Sequence, residues 1–144
     1  MSQVSKRVLS KKIQESLFQN FWEIFAQIKK PKEVAIFLED FLSPTEKVML
    51  AKRLAIAILF SKGYDHRSIS SLLKVSTSTV NNISIFLKNN SRGFKLLFRK
   101  YAQKESFKEL IKELERTLYR LQPGQHFIDE ELIKFKLGHK KKLF

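Results

Sequence analysis

The chain lacks cysteine and is poor in glycine, and both shortages exclude kinds of site. With no Cys among its 144 residues, it can form neither disulfides nor thiolate metal sites. The three histidines, His66, His126 and His139, follow no metal-ligand spacing. The four glycines are isolated from one another, so no glycine-rich phosphate loop occurs. We therefore expect a protein without a metal or another cofactor.

Long apolar runs and local catalytic signatures are also missing. The longest apolar run, Leu54–Phe60, is far shorter than the roughly 20 residues that cross a bilayer. No continuous apolar stretch follows the basic N-terminal residues, so we expect no signal peptide and a cytoplasmic protein. No local pattern arranges Ser, His and Asp for nucleophilic catalysis, and Glu113 and Glu115 fit surface ion pairs. An enzyme is not expected.

Positive charge is abundant and is concentrated in the middle of the chain. The formal net charge is +14, and residues 61–100 hold eight Lys and Arg against the single acid Asp65, which gives +7. A concentrated basic surface attracts polyanions because binding releases condensed counterions. The charge indicates a nucleic-acid partner, although a merely solvated basic face would look the same.

Apolar spacing predicts helices along nearly the whole chain, and a hydrophobic share of 43% is enough for a core. The first helical stripe has spacings of three and four: Ile13, Leu17, Phe21, Ile24 and Ile28. Pro31 begins a second helix. Ser43-Pro44-Thr45-Glu46 has the pattern of a capping box for a third, which Gly63 ends.

Two short helices are predicted after Gly63. Asp65 is positioned to cap the first, and Ser76 to cap the second. A small core is expected between them: Ile69, Leu73, Val75, Val80 and Ile83. The outer face of the second helix is predicted to have little apolar character: Thr77, Ser78, Asn81, Asn82 and Asn89. Such a face has poor helix propensity, which favours a role in binding.

The segment Asp65–Lys88 has the pattern of a helix-turn-helix, with Lys74 where a glycine is common in the turn. The second helix would enter the DNA major groove, where Asn pairs with adenine and the Thr methyl meets thymine. Flanking basic residues would set affinity rather than sequence preference. The predicted DNA-binding residues are Arg67, Lys74, Ser76, Thr77, Ser78, Thr79, Asn81, Asn82, Lys88 and Arg92. An ordinary helical hairpin is the alternative.

The C-terminal third is predicted to be helical as well. Ser106–Glu109 has the pattern of a second capping box, and apolar residues at 107, 111, 114, 118 and 121 predict a docking helix or part of a dimer interface. A short helix at Asp129–Leu137 and the basic run Lys140–Lys142 complete the tail. We expect a DNA-binding and dimerisation domain over residues 1–92 and a helical extension with a basic tail over 93–144.

Five segments together resemble the Trp repressor family, especially its Trp repressor-like branch: Leu42–Glu46, Lys52-Arg53-Leu54, Gly63, Arg67-Ser68-Ile69 and Val75–Val80. The resemblance implies an all-α fold and an intertwined homodimer whose reading helices fit a two-fold symmetric DNA operator. It also implies transcriptional regulation, usually repression.

The ligand site of that family is only partly matched. In the Trp repressor two arginines hold the tryptophan corepressor; Arg53 matches the first, but Asn82 stands in place of the second. A small hydroxyl residue of the pocket aligns with Phe86. Asn82 cannot form the charge-assisted bond that an arginine makes with the ligand carboxylate, and the Phe86 ring is expected to fill the pocket. Both differences predict that L-tryptophan does not bind. Without a tryptophan ligand, Arg53 is expected to lie in a subunit interface or to contact a phosphate.

Three other classes share some of these features. A non-specific architectural or RNA-binding protein would have the same charge without needing the Ser, Thr and Asn face. A protein-interaction module would use the 107–121 stripe as its partner surface. A replication-initiator type of domain uses a similar helix-turn-helix, but no ATPase segment is present.

Overall fold

The computed structural model describes residues 6–121, in which seven α-helices follow one another. Their bounds are α1 Lys11–Gln27, α2 Pro31–Phe41, α3 Pro44–Ser61, α4 His66–Leu73, α5 Thr77–Asn89, α6 Arg92–Tyr101 and α7 Glu105–Leu121. The predicted all-α class is confirmed. The predictions for Asp129–Leu137, Lys140–Lys142, His126 and His139 lie outside the described residues. No helix within residues 6–121 is long and apolar enough to cross a membrane.

The chain divides into two compact units, residues 1–47 and 48–144, so the division falls inside α3. The predicted domain boundary after residue 92 is a separate claim and stays a prediction. Residue 92 is also the first residue of α6.

The first unit contains α1, α2 and the start of α3, and local signals explain where these helices begin. Pro31 opens α2. The Ser43 hydroxyl accepts a hydrogen bond from the Glu46 amide at 3.3 Å, and the Glu46 carboxylate accepts one from the Ser43 amide at 2.9 Å. The predicted capping box is therefore confirmed. The hydrogen bonds from the Ser43 side chain and backbone lower the pKa of Glu46.

Aromatic rings pair within this first unit without forming a closed core. Phe21 contacts Phe25 with ring centroids 4.8 Å apart, and Phe25 contacts Phe37 at 5.6 Å. No residue between 6 and 47 is fully buried. Apolar side chains therefore remain at the surface of α1 and α2.

The second unit has a closed core around the C-terminal half of α3. Residues 56–61 of that helix are all buried, as expected of a helix that is covered on every side. Tyr64, in the connection after α3, is a further member of this core. The later helices supply the other large members: Ile69, Val80, Leu87, Phe98, Ile111 and Leu118. Gly63, with φ of 87°, lies just after α3 in the left-handed conformation that glycine adopts freely.

Helix α7 docks on this core through most of its predicted stripe. Ile111 and Leu118 are buried, and Phe107 and Leu114 pack against them, while Leu121 stays exposed. The docking alternative is confirmed for 107–118, and those residues are covered by the chain itself rather than open to a partner. The predicted capping box at Ser106 is wrong, because α7 begins at Glu105 and Ser106 already lies in its first turn.

Polar contacts also join α7 to the residues that follow α3. The Glu115 carboxylate accepts a hydrogen bond from the Tyr64 hydroxyl at 3.0 Å and lies 2.8 Å from Lys62 Nζ. Glu115 is therefore not the surface ion pair that the sequence predicted, whereas Glu113 does pair with Arg116 at the surface. Burial, the charge of Glu115 and the hydrogen bond to it all raise the pKa of Tyr64.

Candidate nucleic-acid interface

Helix α4 begins at a capped and well-defined N-terminus. The Asp65 carboxylate accepts hydrogen bonds from the amides of Arg67 at 3.0 Å and Ser68 at 3.1 Å, and from the Ser68 hydroxyl at 2.6 Å. Partial burial raises the pKa of Asp65, but the hydrogen bonds from Ser68 and Arg67 outweigh it and leave that pKa lowered. The predicted cap is confirmed, and it is an ionised one.

Three residues, Lys74 to Ser76, connect α4 to α5. Lys74 has φ of 52° and ψ of 54°, the left-handed conformation that favours glycine. The turn is closed by hydrogen bonds in both directions, because the Val75 amide donates to the Ser70 carbonyl at 3.2 Å and the Ser70 hydroxyl donates to the Val75 carbonyl at 2.6 Å. Lysine thus adopts, at this position of the turn, the backbone conformation that glycine takes most easily.

Ser76 caps α5, as its position in the sequence predicts. Its hydroxyl accepts a hydrogen bond from the Thr79 amide at 3.1 Å. The same hydroxyl lies 2.9 Å from that of Ser78 and 2.8 Å from that of Thr79. The first turn of α5 therefore presents a cluster of linked hydroxyls whose positions are fixed by one another.

Buried residues fix the orientation of α5. Val80 and Ser84 are fully buried, Leu87 is nearly so, and Ile83 is half-buried. The Ser84 hydroxyl donates to the Asn81 carbonyl at 2.9 Å, so this buried polar group is satisfied. The members of the small core predicted between α4 and α5 do pack together. Ser84 was not among the predicted core residues, although its spacing of four from Val80 places it on the inner face.

The exposed side of α5 is polar in its first half only. The residues predicted to read DNA are all exposed there: Thr77, Ser78, Thr79, Asn81 and Asn82. The prediction of little apolar character is wrong for the second half, where Ile85 is 48% and Phe86 56% exposed. The buried sector, at 80, 83, 84 and 87, covers only one side of a helix with 3.6 residues per turn, so positions 85 and 86 face outward.

Exposed basic side chains surround this helix. Four basic residues are all exposed: Arg67, Lys74, Lys88 and Arg92. None of them forms an ion pair with any residue between 6 and 121. From His66 to Lys104 the sequence contains no acid at all. The positive charge is therefore not neutralised locally.

Lys95 and Arg99 belong to the basic stretch of the sequence but were not predicted to lie at the site. Both border one groove together with Lys88 and Arg92. Their helical spacing of three and seven from Arg92 was the signal that could have found them.

The three positions related to tryptophan binding lie at least partly on the surface of the single chain. Asn82 is exposed, as is Phe86, and the structure gives Arg53 no ion pair with any residue between 6 and 121. Phe86 therefore fills no cavity within one chain, and its predicted effect on a ligand pocket stays a prediction. Among residues 6–121, no group of three or more His, Asp and Glu is placed to hold a metal ion.

Helices α4 and α5 are both capped, are joined by a three-residue turn whose first residue is left-handed, and share a buried core. These features define a helix-turn-helix protein. The chain matches the family model described as Trp repressor protein over residues 16–102, which include the whole helix-turn-helix. It belongs to the Trp repressor family, a family of helix-turn-helix DNA-binding regulators. The matched range contains α2–α6 and most of α1, but not α7. Neither the comparison with curated proteins nor that with solved structures found a match.

Proposed function

We propose that this protein is a sequence-specific regulator of transcription that binds double-stranded DNA as a homodimer, represses a promoter by occupying it and does not respond to L-tryptophan. One observation carries the proposal. The first half of α5 exposes short hydroxyl and amide side chains, while Val80 and Ser84 hold the same helix turns firmly in the core. A reading surface needs this combination of polar variety and fixed position.

The reading step follows from the direction of α5. Its N-terminal turn enters the major groove, where Asn81 and Asn82 present amides that can bond adenine in a bidentate manner. Thr77 and Thr79 offer methyl groups to thymine or hydroxyls to phosphate. The flanking basic residues, Arg67, Lys74, Lys88 and Arg92, contact phosphates and so position the protein without selecting a sequence.

The surface of the first unit supports dimerisation. Ile13, Leu17, Phe18, Trp22 and Ile24 on α1 are each about half exposed, and Ile36 and Phe41 on α2 are similarly exposed. This unit has only 47 residues, and none of those described is fully buried. So small a unit is not expected to be stable while the apolar faces of α1 and α2 are exposed to water. In the proposed dimer, the second copy covers these faces.

The substitutions at the family's ligand positions support indifference to L-tryptophan. Asn82 cannot supply the charged, bidentate partner that an arginine offers a carboxylate. Arg53 retains its charge at the other position, where it can contact a phosphate or a subunit interface.

Selection of the purified full-length protein against randomised duplex DNA, with and without L-tryptophan, tests the proposal. Enrichment of a two-fold symmetric site that is unchanged by tryptophan is the expected result. Enrichment only in the presence of tryptophan would show that Asn82 and Phe86 have been misinterpreted.

The acid-free basic stretch also favours a second candidate, a non-specific architectural protein. Salt-sensitive binding to every duplex, with no enriched sequence, is the result that would favour it.

A further inference from the structure

Helix α6 has two faces of opposite character. Phe98 is buried in the core and Phe94 packs against it, so the apolar face fixes the helix to the same core as α5. Arg92, Lys95 and Arg99 have helical spacings of three and four, which place them together on another face.

These basic residues border one open groove with Lys88, the last basic residue of α5. Asn89 and Asn90 also line it, and its lining residues include no acid. None of the four cations forms an ion pair with any residue between 6 and 121. Four like charges in one groove repel one another, and an anionic partner removes that repulsion.

Lys95 lies between the basic groove and the core. It borders the basic groove and also an apolar cleft, which Ala57, Phe60 and Leu87 line. A lysine of this kind packs its aliphatic stem on apolar surface while the ammonium group reaches water. Packing of the stem therefore limits the positions that the Lys95 ammonium group can take at the surface.

We propose that this groove continues the DNA-backbone contacts of Lys88 and Arg92, so that Lys95 and Arg99 bind phosphates beyond those reached by the helix-turn-helix itself. The inference rests on the proposed function and extends it, because Lys95 and Arg99 would lengthen the DNA footprint of each subunit. Arg99 lies seven positions after Arg92 in α6, which is about 10 Å along the helix axis. One DNA strand carries a phosphate about every 3.4 Å of its axis, so the distance of about 10 Å between Arg92 and Arg99 spans about three phosphate intervals.

Duplex length and salt dependence test the groove. The wild-type protein and K95Q/R99Q are titrated with the selected site alone and with the site extended by about 10 base pairs, one helical turn, on each side. We expect the extension to tighten wild-type binding but not the variant's. The variant should also bind roughly tenfold or more weakly near 0.1 M salt, and the slope of log K against log salt should be smaller by about 1 for each phosphate that it no longer binds.

Two control variants separate charge from folding. K112Q/R120Q makes the same change of charge on exposed positions of α7 and should behave like the wild type. K95R/R99K keeps both charges and should keep the length effect. Circular dichroism checks that each variant retains its helical content.

The outcomes distinguish this inference from the proposed function. Unchanged slopes and length dependence for K95Q/R99Q, with the site still selected by the wild type, would overturn the α6 site alone. That result would also fit a groove used for an acidic protein. If the wild type selects no site but K95Q/R99Q flattens the salt slope on random DNA, the α6 site stands and the sequence-specific function fails.

Discussion

The side-chain ammonium of Lys52 donates a hydrogen bond to the backbone carbonyl of Lys74, with 3.3 Å between the two atoms. Lys52 lies on α3, whose next turns form the centre of the core, and Lys74 is the left-handed residue of the turn before α5. The central helix therefore supports the turn that sets the direction of the proposed reading helix.

Replacing Lys52 by methionine removes this hydrogen bond while keeping a long apolar stem. We expect a decrease of about 0.5–1.5 kcal/mol in the free energy of unfolding, measured by urea denaturation. DNA affinity should also fall, because the turn is held less firmly. Lys112→Met is a matched control on exposed α7 surface, and an equal effect there would show that the Lys52 hydrogen bond contributes nothing specific.

Lys74→Gly should separate stability from DNA binding. Glycine adopts the left-handed conformation without the steric cost that lysine bears, so we expect the unfolding free energy to rise by up to about 1 kcal/mol. Affinity for DNA should fall by a similar factor on specific and random duplexes, because glycine offers no cation to a phosphate. Lys74→Ala should show the same decrease in affinity without the rise in stability; a rise for alanine as well would contradict the argument from backbone strain.

The cap at Asp65 should make stability depend on pH in acid solution. Asp65→Ala is expected to cost about 0.5–2 kcal/mol at neutral pH, as for other helix N-caps. The pKa of Asp65 is lowered in the folded protein from its ordinary value of 3.8, so the ionised cap contributes its full stability above that pH. This contribution disappears as the pH falls through the lower, folded-state pKa.

Asp65→Asn keeps a capping oxygen without a titrating charge, and it provides the comparison for that pH effect. The difference in unfolding free energy between wild type and Asp65→Asn should shrink steadily below pH 3.8. A difference that stays constant down to the acid limit would mean that the carboxylate charge is not what stabilises α4.

Trp22 is the single tryptophan of the chain and is 56% exposed on α1. The proposed dimer buries it, so its fluorescence should shift to longer wavelength as the protein is diluted and dissociates. Sedimentation equilibrium over the same concentrations should show the change of mass. Leu17→Lys places a charge on the same face and should move both transitions to higher concentration. A monomer at all concentrations, with constant emission, would contradict the dimer.

Local signals in the sequence predicted much of the fold, because they act within a few residues. The Ser43–Glu46 box, the caps Asp65 and Ser76, and Gly63 all lie where hydrogen bonding and backbone conformation require those residues. The start of α7 was placed too late, because Ser106 offered a capping pattern that the backbone does not use.

Features that depend on packing between segments distant in the sequence could not be predicted from the sequence. Glu115 pairs with Lys62 and Tyr64, about 50 residues away, and nothing near it indicates that partner. Ile85 and Phe86 are exposed because only a narrow side of α5 meets the core, which periodicity alone does not reveal. The row on α6 was visible as charge, but its place beside Lys88 depends on the fold.

The most direct test of the central claim, that α5 reads sequence, is the affinity of Asn81→Ala for a selected site and for random duplex DNA at one salt concentration. The substitution should cost about 1–3 kcal/mol on the selected site, mainly at one base pair, and leave binding to random DNA unchanged. Equal decreases in affinity for the two DNAs would contradict the assignment of α5 as the reading helix.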